Sequence, residues 1–222
     1  MKKYALIVAG GTGTRMETDT PKQFLRLAGK PILMHTIEKL YAFDNQIEII
    51  VILPEGQIST WQSLIMDHGF MIPHITAIGG DERFHSVKIG LSYVTTPSIV
   101  AIHDGVRPFV SNDTIKQCFE TASIYGNCIP AISPADSLRI ITEKGNRPLQ
   151  RELIKLIQTP QVFDAELIKS AYNQNFNPEF TDDATVLEKT GEKILLIEGN
   201  PQNIKITTPM DLIIAEELLL SI

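Results

Sequence analysis

The chain has 222 residues, of which 43% are hydrophobic and 21% charged, and its formal net charge is −6. That is enough apolar material for a sizeable core, while the acidic balance argues against a broad basic face for nucleic acid. No stretch approaches the ~20 apolar residues of a membrane span, and Cys118 and Cys128, too few for a thiolate zinc site, read as reduced core residues of a cytoplasmic protein.

Two lysines precede the first apolar run, Tyr4–Ala9. The run is short and meets glycines, not a small-residue cleavage site, so it reads as a buried strand and not as a signal peptide. Leu33–Phe43 then reads as a helix, Ile47–Leu53 as a strand, Gln57–Gly69 as a helix and His74–Ile78 as a strand. Helix Ser86–Val94, strand Ile99–His103, helix Asn112–Tyr125 and strand Cys128–Ile132 continue the alternation. Continuous apolar strands alternating with amphipathic helices predict an α/β, Rossmann-like fold, a mostly parallel sheet with helices on both faces.

Ser137–Gln158 breaks this rhythm. SLRIIT alternates polar and apolar, Gly145 supplies a turn, and the segment predicts a projecting β-hairpin arm. Two late strands, Ile194–Ile197 and Asn203–Ile206, precede a last helix from Pro209 to Leu220, whose proline sits where a missing N–H costs nothing. With no repeat and no linker, the chain reads as one domain over 1–222 with an arm over 137–158.

The segment LIVAGGTGTRM places Gly10, Gly11 and Gly13 directly after the first strand, where backbone N–H groups can approach a polyphosphate. A phosphate loop of the G-x-x-x-x-G-K-[ST] kind would need glycine where Arg15 stands, and a dinucleotide fingerprint starting at Gly11 would need it at Met16, so a nicotinamide dehydrogenase fails on spacing. Arg15 and Lys22 follow, two cations suited to a triphosphate. A glycine turn beside solvated cations would explain a lone G-x-G. The longer pattern A-G-G-x-G-x-R-M followed by Pro21-Lys22-Gln23 favours the phosphate reading.

That pattern resembles the sugar nucleotidyltransferase superfamily. GGDERFHSV, HDGVRPF, QTPQVF, TDDATVLE and NIKITTPMDL follow in the order found in the 2-C-methyl-D-erythritol 4-phosphate cytidylyltransferase family, and the resemblance runs from about residue 3 to about residue 220. It implies transfer of CMP from CTP to a polyol phosphate, 2-C-methyl-D-erythritol 4-phosphate, with release of pyrophosphate. The product, CDP-methylerythritol, belongs to non-mevalonate isoprenoid biosynthesis. The resemblance also implies Mg²⁺ as cofactor and a cytoplasmic homodimer joined through its arms, with no nucleic-acid or membrane partner. A ribitol 5-phosphate cytidylyltransferase shares several of these segments, and a non-catalytic nucleotide-binding regulator can share the fold.

Carried over position by position, the resemblance makes Ala9, Gly10, Gly11, Gly13, Arg15 and Lys22 the CTP loop, with Gly10 standing where many members have alanine. Gly80, Asp81 and Ser86 match the segment that reads cytosine and ribose, although a helix cap would also suit Asp81 or Ser86. Lys205 matches a cation at the α-phosphate opposite Lys22, so Arg15, Lys22 and Lys205 form the catalytic set. Alternation in NIKIT sets Lys205 opposite Ile204 and Ile206, as it also would for an edge-strand lysine. Asp104, Arg107, Thr159, Thr181 and, from a partner's arm, Arg151 match the polyol-phosphate side, and Asp104 is also the candidate Mg²⁺ ligand. Thr181 precedes a helix start, where an N-cap or a phosphate contact would both fit. Arg151 would otherwise be a surface residue, and His103 reads as a packed strand-end histidine.

Overall fold

The computed structural model describes residues 1–11, 16, 18 and 20–221. Strand β1 (Lys2–Val8) lies between β6 (Ser98–Asp104) and β4 (Glu48–Leu53), parallel to both, and β5 (Ile75–Ile78) runs parallel to β4. Beyond β6 come β11 (Gln161–Asp164) and β7 (Asn127–Ile132), with β10 (Leu156–Ile157) and β12 (Leu196–Glu198) beside β7. Two strands, β11 and β10, run against their neighbours, so the sheet is mostly parallel as expected. Helices cover both of its faces.

Alternation along β1 builds the two cores. Ala5 and Ile7 face Leu33, Met34 and Ile37 of α1 (Ile32–Phe43), Trp61 of α2 (Ile58–Asp67) and Ile115 and Phe119 of α4 (Asn112–Tyr125). Tyr4 and Leu6 face Val87 and Leu91 of α3 (Arg83–Ser92), Ile168 of α5 (Ala165–Ala171) and Val186 of α6 (Asp183–Glu188). Helix α3 comes so close to the sheet that a Cβ at Gly90 would collide with Leu6 and Ile52. A third, smaller core joins Val106 and Phe109 to Ile206 and to Ala215 of α7 (Pro209–Leu220).

Register places the site. Val8 lies opposite both Ile52 and Asp104, so β1, β4 and β6 end at one edge, and the loops that follow β1, β5 and β6 open there. The C-terminal edge of a parallel sheet is where such folds bind ligands.

Two short antiparallel pairs lie outside the main sheet. One joins β2 (Arg26–Leu27) to β3 (Lys30–Pro31), ahead of α1. In the other, β8 (Arg139–Thr142) pairs with β9 (Gly145–Pro148) in a hairpin whose residues are all exposed, and Gly145 turns it at φ 122°. The end of the predicted arm differs: β10 rejoins the main sheet at Ile132 and Ala131 of β7. The predicted strand Asn203–Ile206 is not one. Its Ile204 N–H turns back to the Gln202 carbonyl, its backbone meets Val106 through the Ile206 N–H alone, and it ladders with no strand among the described residues. Conversely, Gln161–Asp164, unassigned from the sequence, inserts between β6 and β7.

Candidate active site

The loops at this edge line a cleft, placed where ligands bind in folds of this kind. Ala9, Gly10 and Gly11 form one wall, Gly80, Asp81 and Ser86 another, and Lys22, Asp104 and Lys205 reach in between. Gly13 and Arg15 lie outside the described residues. A Cβ on Gly11 would come within 3.0 Å of the Lys22 ammonium, so glycine there keeps lysine and backbone in close approach.

Asp104 is the electrostatic centre. It ends the wholly buried β6, and its Oδ2 accepts from Lys205 Nζ at 3.0 Å and from Arg107 Nε at 3.1 Å. Burial alone would raise this carboxyl, but Lys205, Arg83 and Arg107 together hold it well below the usual carboxylate range. Asp104 is therefore an anion at neutral pH, set beneath a group of cations. Ile204 and Ile206 pack into the third core, which leaves the exposed Lys205 between them to face the cleft.

His103 and Thr159 stand behind this carboxylate. The Asp104 N–H donates to Thr159 Oγ1 at 3.1 Å, the Thr159 hydroxyl donates to His103 Nδ1 at 2.9 Å, and His103 Nε2 donates to the Arg107 carbonyl at 3.0 Å. Burial pushes the imidazole down to about 4, so it is neutral at pH 7 with both nitrogens engaged. It is the packed strand-end histidine the sequence suggests. The Thr159 hydroxyl spends its bonds on the strand end, and Arg107 spans from Asp104 to the Asn203 carbonyl at 2.7 Å.

On the opposite wall the Gly80 N–H donates to Ser86 Oγ at 3.1 Å and the Ser86 hydroxyl returns a bond to the Gly80 carbonyl at 3.2 Å, which fixes the loop from the first turn of α3. Neither Asp81 nor Ser86 caps α3: its N-cap is Glu82, without a side-chain bond. Arg83 is a cleft residue outside the predicted site set. It makes a two-pronged ion pair with the fully buried Asp183, at 2.8 and 2.6 Å, and Tyr172 donates to the same carboxylate at 2.6 Å. Both charged residues stand inside the quoted GGDER and TDDATVLE segments, but nothing in one sequence pairs positions so far apart.

Thr181 is exposed just before α6, where Asp182, not Thr181, is the N-cap and accepts from Thr185 N–H. Gln161 of β11 ties this helix start to the sheet, donating to Asp182 at 2.8 Å and accepting from Ala184 N–H at 2.9 Å. Arg151 is exposed beyond the hairpin and donates to the Ala135 carbonyl at 3.1 Å. Among the described residues no three His, Cys, Asp or Glu side chains form a self-sufficient metal cage. Mg²⁺ needs only one or two carboxylates when substrate phosphates supply the rest. Asp104, ionised and with both cation contacts on a single oxygen, fits that pattern.

A family model described as 2-C-methyl-D-erythritol 4-phosphate cytidylyltransferase matches residues 4–221. The Bacteroides fragilis protein of that name is 52% identical over 219 residues, spanning 99% of this chain and 100% of that protein. The Porphyromonas gingivalis protein of that name is 45% identical over 221 residues, 99% of each. Among solved structures, the 4-diphosphocytidyl-2C-methyl-D-erythritol synthase of Anaerococcus prevotii superposes with a TM-score of 0.83 at 27% identity, over 99% of this chain and 96% of that one. The Thermus thermophilus 2-C-methyl-D-erythritol 4-phosphate cytidylyltransferase gives a TM-score of 0.79 at 29% identity, over 98% of each.

Proposed function

The chain belongs to the 2-C-methyl-D-erythritol 4-phosphate cytidylyltransferase family, and from that premise we propose how its cleft joins CTP to the polyol phosphate. The reaction gives CDP-methylerythritol and pyrophosphate, a step of isoprenoid precursor synthesis. The observation that carries the site reading is the Lys205 ammonium on Asp104, in one cleft with Lys22 and the glycines that follow β1.

A phosphate oxygen of the polyol phosphate attacks the α-phosphorus of CTP in line. The new P–O bond forms as the bond to pyrophosphate breaks, and pyrophosphate leaves. A phosphate nucleophile is already ionised at neutral pH and needs no base, consistent with a neutral, fully bonded His103. The protein contributes position and charge. Backbone N–H groups of Gly10 and Gly11 approach the triphosphate, and the same role falls to Gly13 and Arg15, which follow in the sequence. Lys22 and Lys205 close on the α-phosphate from two sides, where preorganised cations stabilise the charge that builds in the transition state. Gly80, Asp81 and Ser86 hold cytosine and ribose. Asp104 would hold Mg²⁺, and the bound ion supplies further neutralisation of the CTP phosphates.

Arg107 and Thr181 form the polyol-phosphate side, completed by the partner subunit's Arg151, while Thr159, expected there from the sequence, instead holds the end of β6 with its hydroxyl. The support for a homodimer is the hairpin itself, a single catalytic domain's exposed excursion that carries Ile141 at 78% exposure. Such an edge is ordinarily covered. The enzyme works in the cytoplasm, and no helix among the described residues is long and apolar enough to cross a membrane.

Pyrophosphate release with CTP and Mg²⁺ tests the reading against the ribitol alternative. We expect kcat/KM for methylerythritol phosphate to exceed that for ribitol 5-phosphate. Equal or reversed values would remove the substrate assignment.

A further inference from the structure

We infer that Asn203 is a positioning residue that sets the Lys205 ammonium over Asp104, with Thr159 as the fixed point from which both are held. The inference rests on the proposed role of Lys205 at the α-phosphate.

Lys205 has no strand to hold it. Its segment contacts the fold through few backbone bonds: the Asn203 N–H donates to Asn200 O at 3.0 Å and the Ile206 N–H to Val106 O at 3.0 Å. A long, flexible side chain on such a segment loses its aim unless the segment is pinned. The pin on one side is Ile206, buried in the third core. The pin on the other side is the Asn203 amide, fully buried, which donates from Nδ2 to the Thr159 carbonyl at 2.8 Å and to Gln158 Oε1 at 3.4 Å.

Thr159 is the residue whose hydroxyl accepts the Asp104 N–H. Its two polar ends therefore hold the two halves of the ion pair, the hydroxyl on the carboxylate's strand and the carbonyl on the lysine's segment. The Asn203 carbonyl meanwhile accepts from Arg107, whose guanidinium also reaches Asp104 Oδ2. Gln158 braces the arrangement, donating to the Asn200 carbonyl at 3.0 Å, and a Cβ at Gly199 would collide with its amide.

The test is a double-mutant cycle in the full chain, with thermal unfolding measured for every variant. Asn203→Leu removes the amide and leaves the buried Thr159 carbonyl without its donor, so the unfolding midpoint should fall by several degrees while the chain still folds. Turnover should fall about 10- to 100-fold with KM for CTP little changed, as for a displaced catalytic group. In a Lys205→Ala background the same substitution should cost less than about 2-fold, because its target is gone. Gln158→Met, tested in the same two backgrounds, serves if Asn203→Leu folds poorly, with a smaller loss of the same kind. Full turnover in both variants, or equal losses in the two backgrounds, overturns the inference while a slow Lys205→Ala enzyme leaves the reading of Lys205 standing. Full turnover in Lys205→Ala alone overturns that reading and this inference with it.

Discussion

At the scale of single residues, the cleft balances an acidic chain against a local cluster of cations. Lys22→Ala and Lys205→Ala should each lower kcat by about 10²-fold or more, as lost charge-stabilising donors do, and Lys205→Ala should also lower the unfolding midpoint, because the buried Asp104 loses an ion-pair partner. Steady-state turnover beside thermal unfolding checks this, and normal turnover in either variant would remove that lysine from the chemistry. Arg83 and Asp183 behave oppositely. Asp183→Ala would leave the Arg83 guanidinium at the cleft wall and the buried Tyr172 hydroxyl without their shared partner, at a cost of about 2 kcal/mol. Denaturant unfolding should show that loss, and a change below about 1 kcal/mol would mean the pair is not the buried strut described. These residues also mark what one sequence can reveal. Lys22, Gly80, Asp104 and Lys205 were recognisable because each sits in a local motif. The pairing of Arg83 with Asp183 was not, since it depends on two helix starts, far apart in the chain, meeting on one face of the sheet. Nor was Thr159's double hold, since a threonine in QTPQVF looks the same whether its hydroxyl faces substrate or the strand end.

At the scale of elements, local signals worked where local bonding decides the structure. TTPMDL carries its own start signal, and α7 begins there with a capping box: Thr208 accepts from the Asp211 N–H, while Asp211 Oδ2 accepts from the N–H groups of Thr207 and Thr208. Signals failed where a ladder partner decides. Asn203–Ile206 alternates like a strand, but the loop after β6 offers it one backbone–backbone bond, whereas the less regular Gln161–Asp164 finds β6 and β7 on either side. The cap gives a pH prediction. Burial pushes the Asp211 carboxyl up, but the Thr207 and Thr208 donors prevail and hold it below its ordinary value. A carboxyl depressed on folding stabilises fully above its unfolded value, and that contribution is lost as pH falls through the lower folded value. Asp211→Asn should therefore be less stable than wild type by about 1 kcal/mol at pH 7, and the gap should shrink on acidification below the ordinary carboxylate range. Unfolding curves at a series of pH values measure it, and a gap independent of pH would assign the loss to packing.

At the scale of the whole molecule, the mostly parallel sheet followed from the rhythm of apolar runs, and so did the hairpin that interrupts it. What the hairpin covers is a question of assembly, and the exposed Arg151 beyond it turns that question into a measurement. If the arms exchange, a site is built from the Lys22 of one protomer and Arg151 of the partner subunit. Homodimers of Lys22→Ala and of Arg151→Ala should then each be nearly inactive. In a mixed dimer one site receives both defects, while the other combines an intact Lys22 with an intact arginine from the opposite arm. Random assembly of equal amounts makes about half of the dimers mixed, each with one working site of two, so about a quarter of wild-type activity should return under two-fold symmetry. If Arg151 served its own chain, every site in a mixed dimer would carry one defect and no activity would return. Co-expression of the two variants, intact-mass confirmation that mixed dimers form, and a pyrophosphate-release assay separate these outcomes, and mixed dimers without recovered turnover would rule out the shared site.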